Sequence, residues 1–351
     1  MFKKRVLGLV LAGLLLQKSV WAAMLPYDYK GTIHVHSKYS HDSKAGIETI
    51  IEAAKSAGSD FVIITDHKST DYKDAEGWYK NTLILVGEER SAKNHGGHYL
   101  SFEDVKVIAH PTAWRKPWTA SIEGFDAIEV YNLAEDFKDK KPITYLTFLV
   151  GGLFFPLTKV PLANKIVNEK QIVTTVIIDE PREALSLWDK ILAKQKISAI
   201  GSVDAHLVAD FLVDIPNQKQ IYKMVYTHII TNEGFTRDYG HDMRLVSEAI
   251  KKGKCYVSFS SEALIFYAKN QSGVASIGEG LKFGRETMLY ADTGKSTRIK
   301  LYKDGKLLLE RENPLVYMTN EPGIYRVETY ETRFRDSLLH ISNPIYLESK
   351  K

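Results

Sequence analysis

Thr32-Ile33-His34-Val35-His36-Ser37 is the stretch from which the rest of this chain can be read. A short run of strand-forming residues carries two histidines at alternate positions and ends in a hydroxyl. Related pieces follow downstream: Thr65-Asp66-His67, Gly87-Glu88-Glu89, Ala109-His110-Pro111 and Asp204-Ala205-His206. Seven of the eleven histidines fall before residue 111. Imidazoles and carboxylates delivered one at a time from the ends of strands make up a hydrolytic metal site.

The surrounding pattern sets the fold class. From about residue 27 to 260, strand-like runs at 32–35, 61–65, 83–86, 99–102, 105–109, 127–130, 199–202 and 228–231 alternate with helix-like segments. Ile47, Ile50, Ile51 and Ala54 repeat at helical spacing, with Gly58 as the stop. Leu185, Trp188, Ile191 and Leu192 mark a second helix. Leu245, Val246, Ala249 and Ile250 mark a third, with Asp242 as its cap and Gly253 as its end. Alternation over this length predicts an α/β fold built on a parallel sheet or barrel. His36, Asp66, His67, Glu89, His110, Asn132 and Asp204 all stand at or just past the C-terminal end of an apolar run. A barrel brings those ends to one mouth, whereas an open sheet spreads them along a line, so a barrel is expected.

From about residue 261 the pattern changes to short strands and turns. Lys303-Asp304-Gly305-Lys306 reads as a hairpin turn, and 261–351 as a β-rich accessory domain of sandwich type. Within an expected barrel at 24–260, an insertion at about 135–175 contains an uncharged run, 142–158, broken by Gly151-Gly152 and Pro156. That run is too short for a comfortable membrane span. It is expected to pack on the barrel mouth or the second domain, with a substrate lid or a membrane-surface contact as alternatives.

Bulk properties narrow the partners. A net charge of +4 spread evenly along the chain gives no basic stripe, so nucleic acid is not an expected ligand. The single cysteine, Cys255, excludes an internal disulfide and a thiolate metal cluster, and its apolar neighbours predict a buried strand. At the N-terminus, Lys3, Lys4 and Arg5 precede an apolar stretch at 6–16 and the small residues around Val20-Trp21-Ala22. This predicts a cleaved signal peptide over residues 1–22 and a periplasmic or secreted protein. No cysteine follows that segment, which argues against a lipoprotein.

In order, His34-x-His36-Ser37, an acidic position at Asp42, Thr65-Asp66-His67, Gly87-Glu88-Glu89, Gly97-His98, Ile108-Ala109-His110-Pro111 and Asp204-Ala205-His206 resemble the PHP (polymerase and histidinol phosphatase) family. The resemblance covers about residues 27–260. The tail motifs Gly323-Ile324-Tyr325-Arg326-Val327-Glu328 and Ser342-Asn343-Pro344-Ile345-Tyr346 are similar to a secreted subgroup. It implies a distorted (β/α)7 barrel holding two or three divalent ions: zinc, manganese or iron. By that resemblance His34, His36, Glu89 and Asp204 hold a first ion. Glu89 bridges to a second, held also by His98 and His110, and Asp42, His67 and His206 hold a third. Glu88 competes with Glu89, His95 with His98, and His41 with Asp42; the Gly-x-Glu and Gly-His spacings favour Glu89 and His98.

The expected chemistry is phosphoester hydrolysis of a small phosphorylated substrate by a metal-bound hydroxide, with Asp66, Glu89 and Asp204 in catalytic roles. Asp66 is expected to orient His67 or relay a proton. Lys68, Arg90, Lys93 and Arg115 adjoin the motifs and are candidates to hold the phosphate. A non-phosphate hydrolase of amidohydrolase type is an alternative, against which stands the lack of a carboxylated-lysine signature. A non-enzymatic metal- or ligand-binding module is another, against which stands the complete ligand set.

Overall fold

The computed structural model describes residues 26–138, 180–207, 218–284, 286–332 and 337–349. The expected leader at 1–22 and the apolar run 142–158 lie outside them. The first strands are β1 (Tyr27–Val35), β2 (Phe61–His67), β3 (Gly77–Tyr79), β4 (Thr82–Ser91), β5 (His98–Phe102), β6 (Val105–Ala109), β7 (Ala127–Asn132) and β8 (Ser198–Ser202). Runs such as Phe61-Val62-Ile63-Ile64 and Leu83-Ile84-Leu85-Val86 are buried throughout, as expected of strands covered on both faces.

The strands are ordered β1-β2-β4-β5-β6-β7-β8. All neighbours are parallel except those of β5, which runs antiparallel to β4 and β6. The chain just past β8 closes the ring against β1. Val203 N–H donates to Ile33 O (3.1 Å), Ala205 N–H to His34 O (3.1 Å) and His36 N–H to Ala205 O (3.0 Å). The result is the expected seven-stranded distorted barrel.

Strict alternation with helices does not hold between β4 and β6. A 3-10 turn at Lys93–His95 joins β4 to β5, and β5 joins β6 through Glu103 and Asp104 alone. Two residues suffice for a hairpin, whereas a parallel crossover needs a dozen or more.

The described helices are α1 (Ile47–Ala57), α2 (Leu133–Lys138), α3 (Arg182–Leu192), α4 (Gln218–Ile221) and α5 (Tyr239–Lys251). Helix α1 ends at Gly58, which takes a left-handed conformation (φ 66°). Helices α1 and α3 bury Ile50, Ala54, Leu185 and Trp188 against the outer face of the barrel, with Val62, Ile64, Ile84 and Val86. Val246, Ala249 and Ile250 of α5 pack instead with inward residues Ile33, Ile63, Leu85 and Val107. Asp238, not Asp242, caps α5, accepting a bond from His241 N–H at 2.7 Å. Asp242 is fully buried because it accepts from Thr236 N–H, Arg237 N–H and the Trp78 indole.

Two further strands extend the sheet beyond β1: β9 (Tyr226–Thr231), antiparallel to β1, and β10 (Cys255–Ser258), antiparallel to β9. Cys255 is buried there, and burial pushes its thiol up to about 12. Beyond it lie β11 (Ile265–Asn270), β12 (Gly273–Ser276), β13 (Gly280–Lys282), β14 (Thr287–Asp292), β15 (Thr297–Lys303), β16 (Lys306–Glu312), β17 (Leu315–Thr319), β18 (Gly323–Glu331), β19 (Ser337–Ser342) and β20 (Ile345–Glu348). One sheet, β12-β11-β14-β17, packs Phe266, Leu289 and Leu315 against Leu301, Tyr325 and Val327 of the other. The expected sandwich is therefore present, and β19 pairs with β10, so its second sheet continues that of the barrel. The Asp304-Gly305 turn has both residues at positive φ (50° and 75°), which matches the right-handed twist of β15 and β16.

Candidate metal centre

Inside the barrel, side chains of period two face the core: Phe61 and Ile63 on β2, Leu83 and Leu85 on β4, Ala127 on β7. Continuing that period past the apolar part of each strand puts His67, Glu89 and Glu129 on the inner face, at the C-terminal mouth. Gly87 lets β4 approach β5 closely: a Cβ there would meet Ser101 O at 2.5 Å and Phe102 Cβ at 2.6 Å.

Strand β1 reaches the same result through a backbone device. Ile33 faces the interior, so unbroken alternation would send both His34 and His36 outward. A bulge lies between Ile33 and Val35, with His34 at φ 65°. It shifts the phase by one residue, so Val35 joins the outer cluster and both histidines turn inward. His110 (φ 29°) and Asp204 (φ 47°) also stand at positive φ. Such strain persists where surrounding structure over-determines it, and it clusters at functional sites.

These residues converge on Glu89. One carboxylate oxygen lies 2.8 Å from His98 Nδ1 and 3.1 Å from His110 Nε2. The other lies 3.2 Å from His34 Nε2, 3.3 Å from His36 Nε2 and 3.2 Å from His67 Nδ1. Asp204 Oδ1 stands 3.5 Å from His34, His36 and His206. Asp42 Oδ2 lies 3.2 Å from both His67 and His206. Three groups have ligand atoms close enough to share an ion: His34 with His36 and Glu89; Glu89 with His98 and His110; and His36 with Asp42, His67 and His206.

Neighbouring bonds fix which nitrogen each ring points inward. Glu129 can only accept when ionised, so His34 donates its Nδ1 proton to it at 2.7 Å. Ser40 Oγ gives its hydrogen to Asp42 at 2.7 Å and so accepts from His36 Nδ1 at 3.1 Å. His206 Nδ1 donates to the carbonyl of Asp204 at 2.9 Å. All three rings then aim Nε2 at carboxylate oxygens; burial pushes the His34 and His36 imidazoles down, but the surrounding carboxylates outweigh it and raise both, His36 to about 9. A proton on Nε2 holds such a contact together in the absence of an ion, and a divalent cation between nitrogen and oxygen would take that proton's place. Nitrogen and oxygen donors without sulfur suit divalent ions such as zinc, manganese or iron, so the residues fit the implied metals.

Electrostatics follow the crowding. Burial pushes the Glu89 and Asp204 carboxyls up, but the adjacent histidines outweigh it and hold both well below the usual range. Burial pushes His67 down to about 4 and His206 down as well, keeping both neutral.

Above this cluster opens a cleft of about 460 Å³, with Asp42, His67, Glu89, His98, His110, Asp204 and His206 in its wall. Ala113, Trp114, Arg115, Lys116 and Glu135 complete it. Of the four candidate phosphate ligands, Arg115 lines the cleft. Arg90 is turned to Glu88 (2.6 Å), and Lys68 and Lys93 are exposed and outside the lining. Glu88 is thereby accounted for, leaving Glu89 as the inward carboxylate. His41 is largely exposed, 3.8 Å from Asp42, and His95 is exposed.

Asp66 does not meet the expectation that it orients His67. Its carboxylate accepts from Ser37 N–H (2.6 Å) and Ser37 Oγ–H (2.5 Å), which anchors the turn after His36. Two residues absent from the expected site belong to it: Glu129, which holds His34 and also accepts from His110 N–H at 2.7 Å, and Ser40. A lone carboxylate inside the apolar run 127–130 was the available signal for Glu129.

No curated protein matches this chain. Residues 32–277 match the family model of the PHP domain, well over half of the sequence and including every residue of the cluster. The chain therefore belongs to the PHP domain family, and its buried histidine and carboxylate groups fit the metal dependence of that family's hydrolases.

Proposed function

We propose that the protein is a metal-dependent phosphoesterase acting on a small phosphomonoester or phosphodiester. One observation carries this reading: a cleft whose floor is a polynuclear ligand set has two cations, Arg115 and Lys116, on its rim. A dianionic or monoanionic phosphate matches both. Among the described residues neither cation has a carboxylate partner, so both are available to an incoming anion.

His34, His36, Glu89, Asp204, His98, His110, Asp42, His67 and His206 would hold two or three divalent ions. When bound, such ions supply a nucleophile from water at neutral pH and polarise the ester oxygens. The chain's own contribution is orientation. Glu129, Ser40 and the Asp204 carbonyl keep the Nε2 atoms of His34, His36 and His206 inward. Asp66 holds the turn that carries His36. Arg115 places the phosphate above the floor. The leader-like residues 1–22 support placing this activity outside the cytoplasm.

The test is hydrolysis of p-nitrophenyl phosphate and bis-p-nitrophenyl phosphate with manganese, zinc or iron, beside Asp204→Ala. Turnover that the variant lacks supports a phosphoesterase and separates monoester from diester chemistry. No turnover by a protein that contains metal contradicts the reading and moves it to a non-phosphate bond.

A further inference from the structure

Asn132 closes the apolar run of β7 as the ligands close theirs, and a device like that of β1 turns it inward. The pairing of β7 with β8 shifts register between Glu129 and Tyr131, so Val130 and Tyr131 both join the outer cluster. Unbroken alternation would send residue 132 outward, whereas the bulge returns it to the face of Glu129. Asn132 is 7% exposed and Glu129 1%. Asn132 Nδ2 donates to Glu129 Oε2 at 2.9 Å, and Asn132 Oδ1 accepts from Glu135 N–H at 3.0 Å. Only one orientation of the amide meets both neighbours, since an ionised carboxylate only accepts and a backbone N–H only donates. Glu129 in turn reaches two ligand groups. Its Oε1 takes the His34 Nδ1 proton at 2.7 Å, and its Oε2 accepts from His110 N–H at 2.7 Å. His34 belongs with His36 and Glu89, and His110 with Glu89 and His98. At its other end the amide caps α2, which carries Glu135 into the cleft wall.

We propose that Asn132 is a positioning residue for the metal centre, acting through Glu129. Without Nδ2, the buried Glu129 carboxylate loses one of the donors that hold it in a single rotamer against His34 and His110. Groups that orient a ligand from behind set metal affinity although they never touch the ion. One amide thus fixes a histidine of each of two ion sites and joins both to the helix in the cleft wall. The proposal rests on the metal centre and not on which bond the protein hydrolyses.

Two variants separate this role from helix capping alone. Asn132→Ser keeps a capping oxygen and loses Nδ2, and Asn132→Asp keeps the cap but sets a second carboxylate against Glu129. Affinity is read by calorimetric titration of manganese or zinc into the metal-stripped full-length protein. Leu289→Ala is the control, because it costs stability in the sandwich core and touches no part of the cluster. Affinity should fall about tenfold in Asn132→Ser and further in Asn132→Asp, with Leu289→Ala close to wild type. Wild-type affinity in either Asn132 variant, or an equal fall in Leu289→Ala, overturns the proposal and leaves the metal centre standing. A wild-type protein that takes up neither ion overturns the metal centre and the proposal with it.

Discussion

Glu129 Oε1 stands 2.7 Å from His34 Nδ1, with both side chains fully buried. The bond decides the His34 tautomer and therefore which nitrogen is offered to Glu89 and Asp204. Glu129→Gln keeps the volume but loses the charge that strengthens the imidazole as a ligand. Metal affinity should fall about 10- to 100-fold, and the metal-free protein should melt lower as well, because the amide nitrogen replaces an oxygen that accepts a buried bond. Unchanged affinity in a metal-binding titration would show that Glu129 serves packing alone.

The cations separate by what they face. Arg115→Ala should raise KM for a phosphoester about tenfold with a smaller effect on kcat, since it removes an ion contact to the substrate. Arg90→Ala should leave both close to wild type, because that guanidinium is bonded to Glu88 outside the cleft. Equal damage from the two variants would contradict this assignment.

The barrel and its ligands are legible because each of His36, His67, Glu89, His110 and Asp204 closes an apolar run. The phase of β1 is not, because it turns on a single backbone torsion at His34 that no residue type announces. The hairpin linking β5 and β6 is written in the two-residue link at 103–104, which leaves no room for a helix. Asp238 and Asp242 both precede the α5 apolar pattern, and only tertiary contacts decide between them. The Trp78 indole bond that buries Asp242 comes from 164 positions away.

Arg326 joins the two parts of the molecule. It bonds Asp189 of α3 through Nε (3.0 Å) and a terminal nitrogen (2.9 Å), and Glu328 through the other (2.5 Å). Arg326 and Glu328 are almost fully buried, so removing the cation strands negative charge in the interior. Arg326→Ala should cost about 3 kcal/mol or more in chemical denaturation. A loss under about 1 kcal/mol would show that water reaches the carboxylates.

His340 lies buried where β19 meets β10. Its Nε2–H donates to Glu262 O (3.0 Å), and Nδ1 accepts from Thr329 Oγ1 (2.7 Å), which satisfies the neutral ring. Burial pushes its pKa down to about 4, helped by His228 and Lys295. The unfolded chain takes up this proton near pH 6.5 and the folded protein only near 4. Stability from this group is therefore full above about pH 6.5 and falls as pH drops toward 4, by roughly 2–3 kcal/mol. Denaturant melts at pH 7 and pH 4.5 should show a smaller acid loss in His340→Gln than in wild type. Identical losses would assign the acid sensitivity elsewhere.

The ligand set itself is tested most directly by metal content. Elemental analysis of the purified full-length protein should find two or three divalent ions per chain, and His34→Ala combined with His36→Ala should lower that number by at least one. Unchanged stoichiometry in the double variant, or a wild-type protein that binds no divalent ion when supplied with manganese, zinc and iron, would contradict the metal centre on which the account rests.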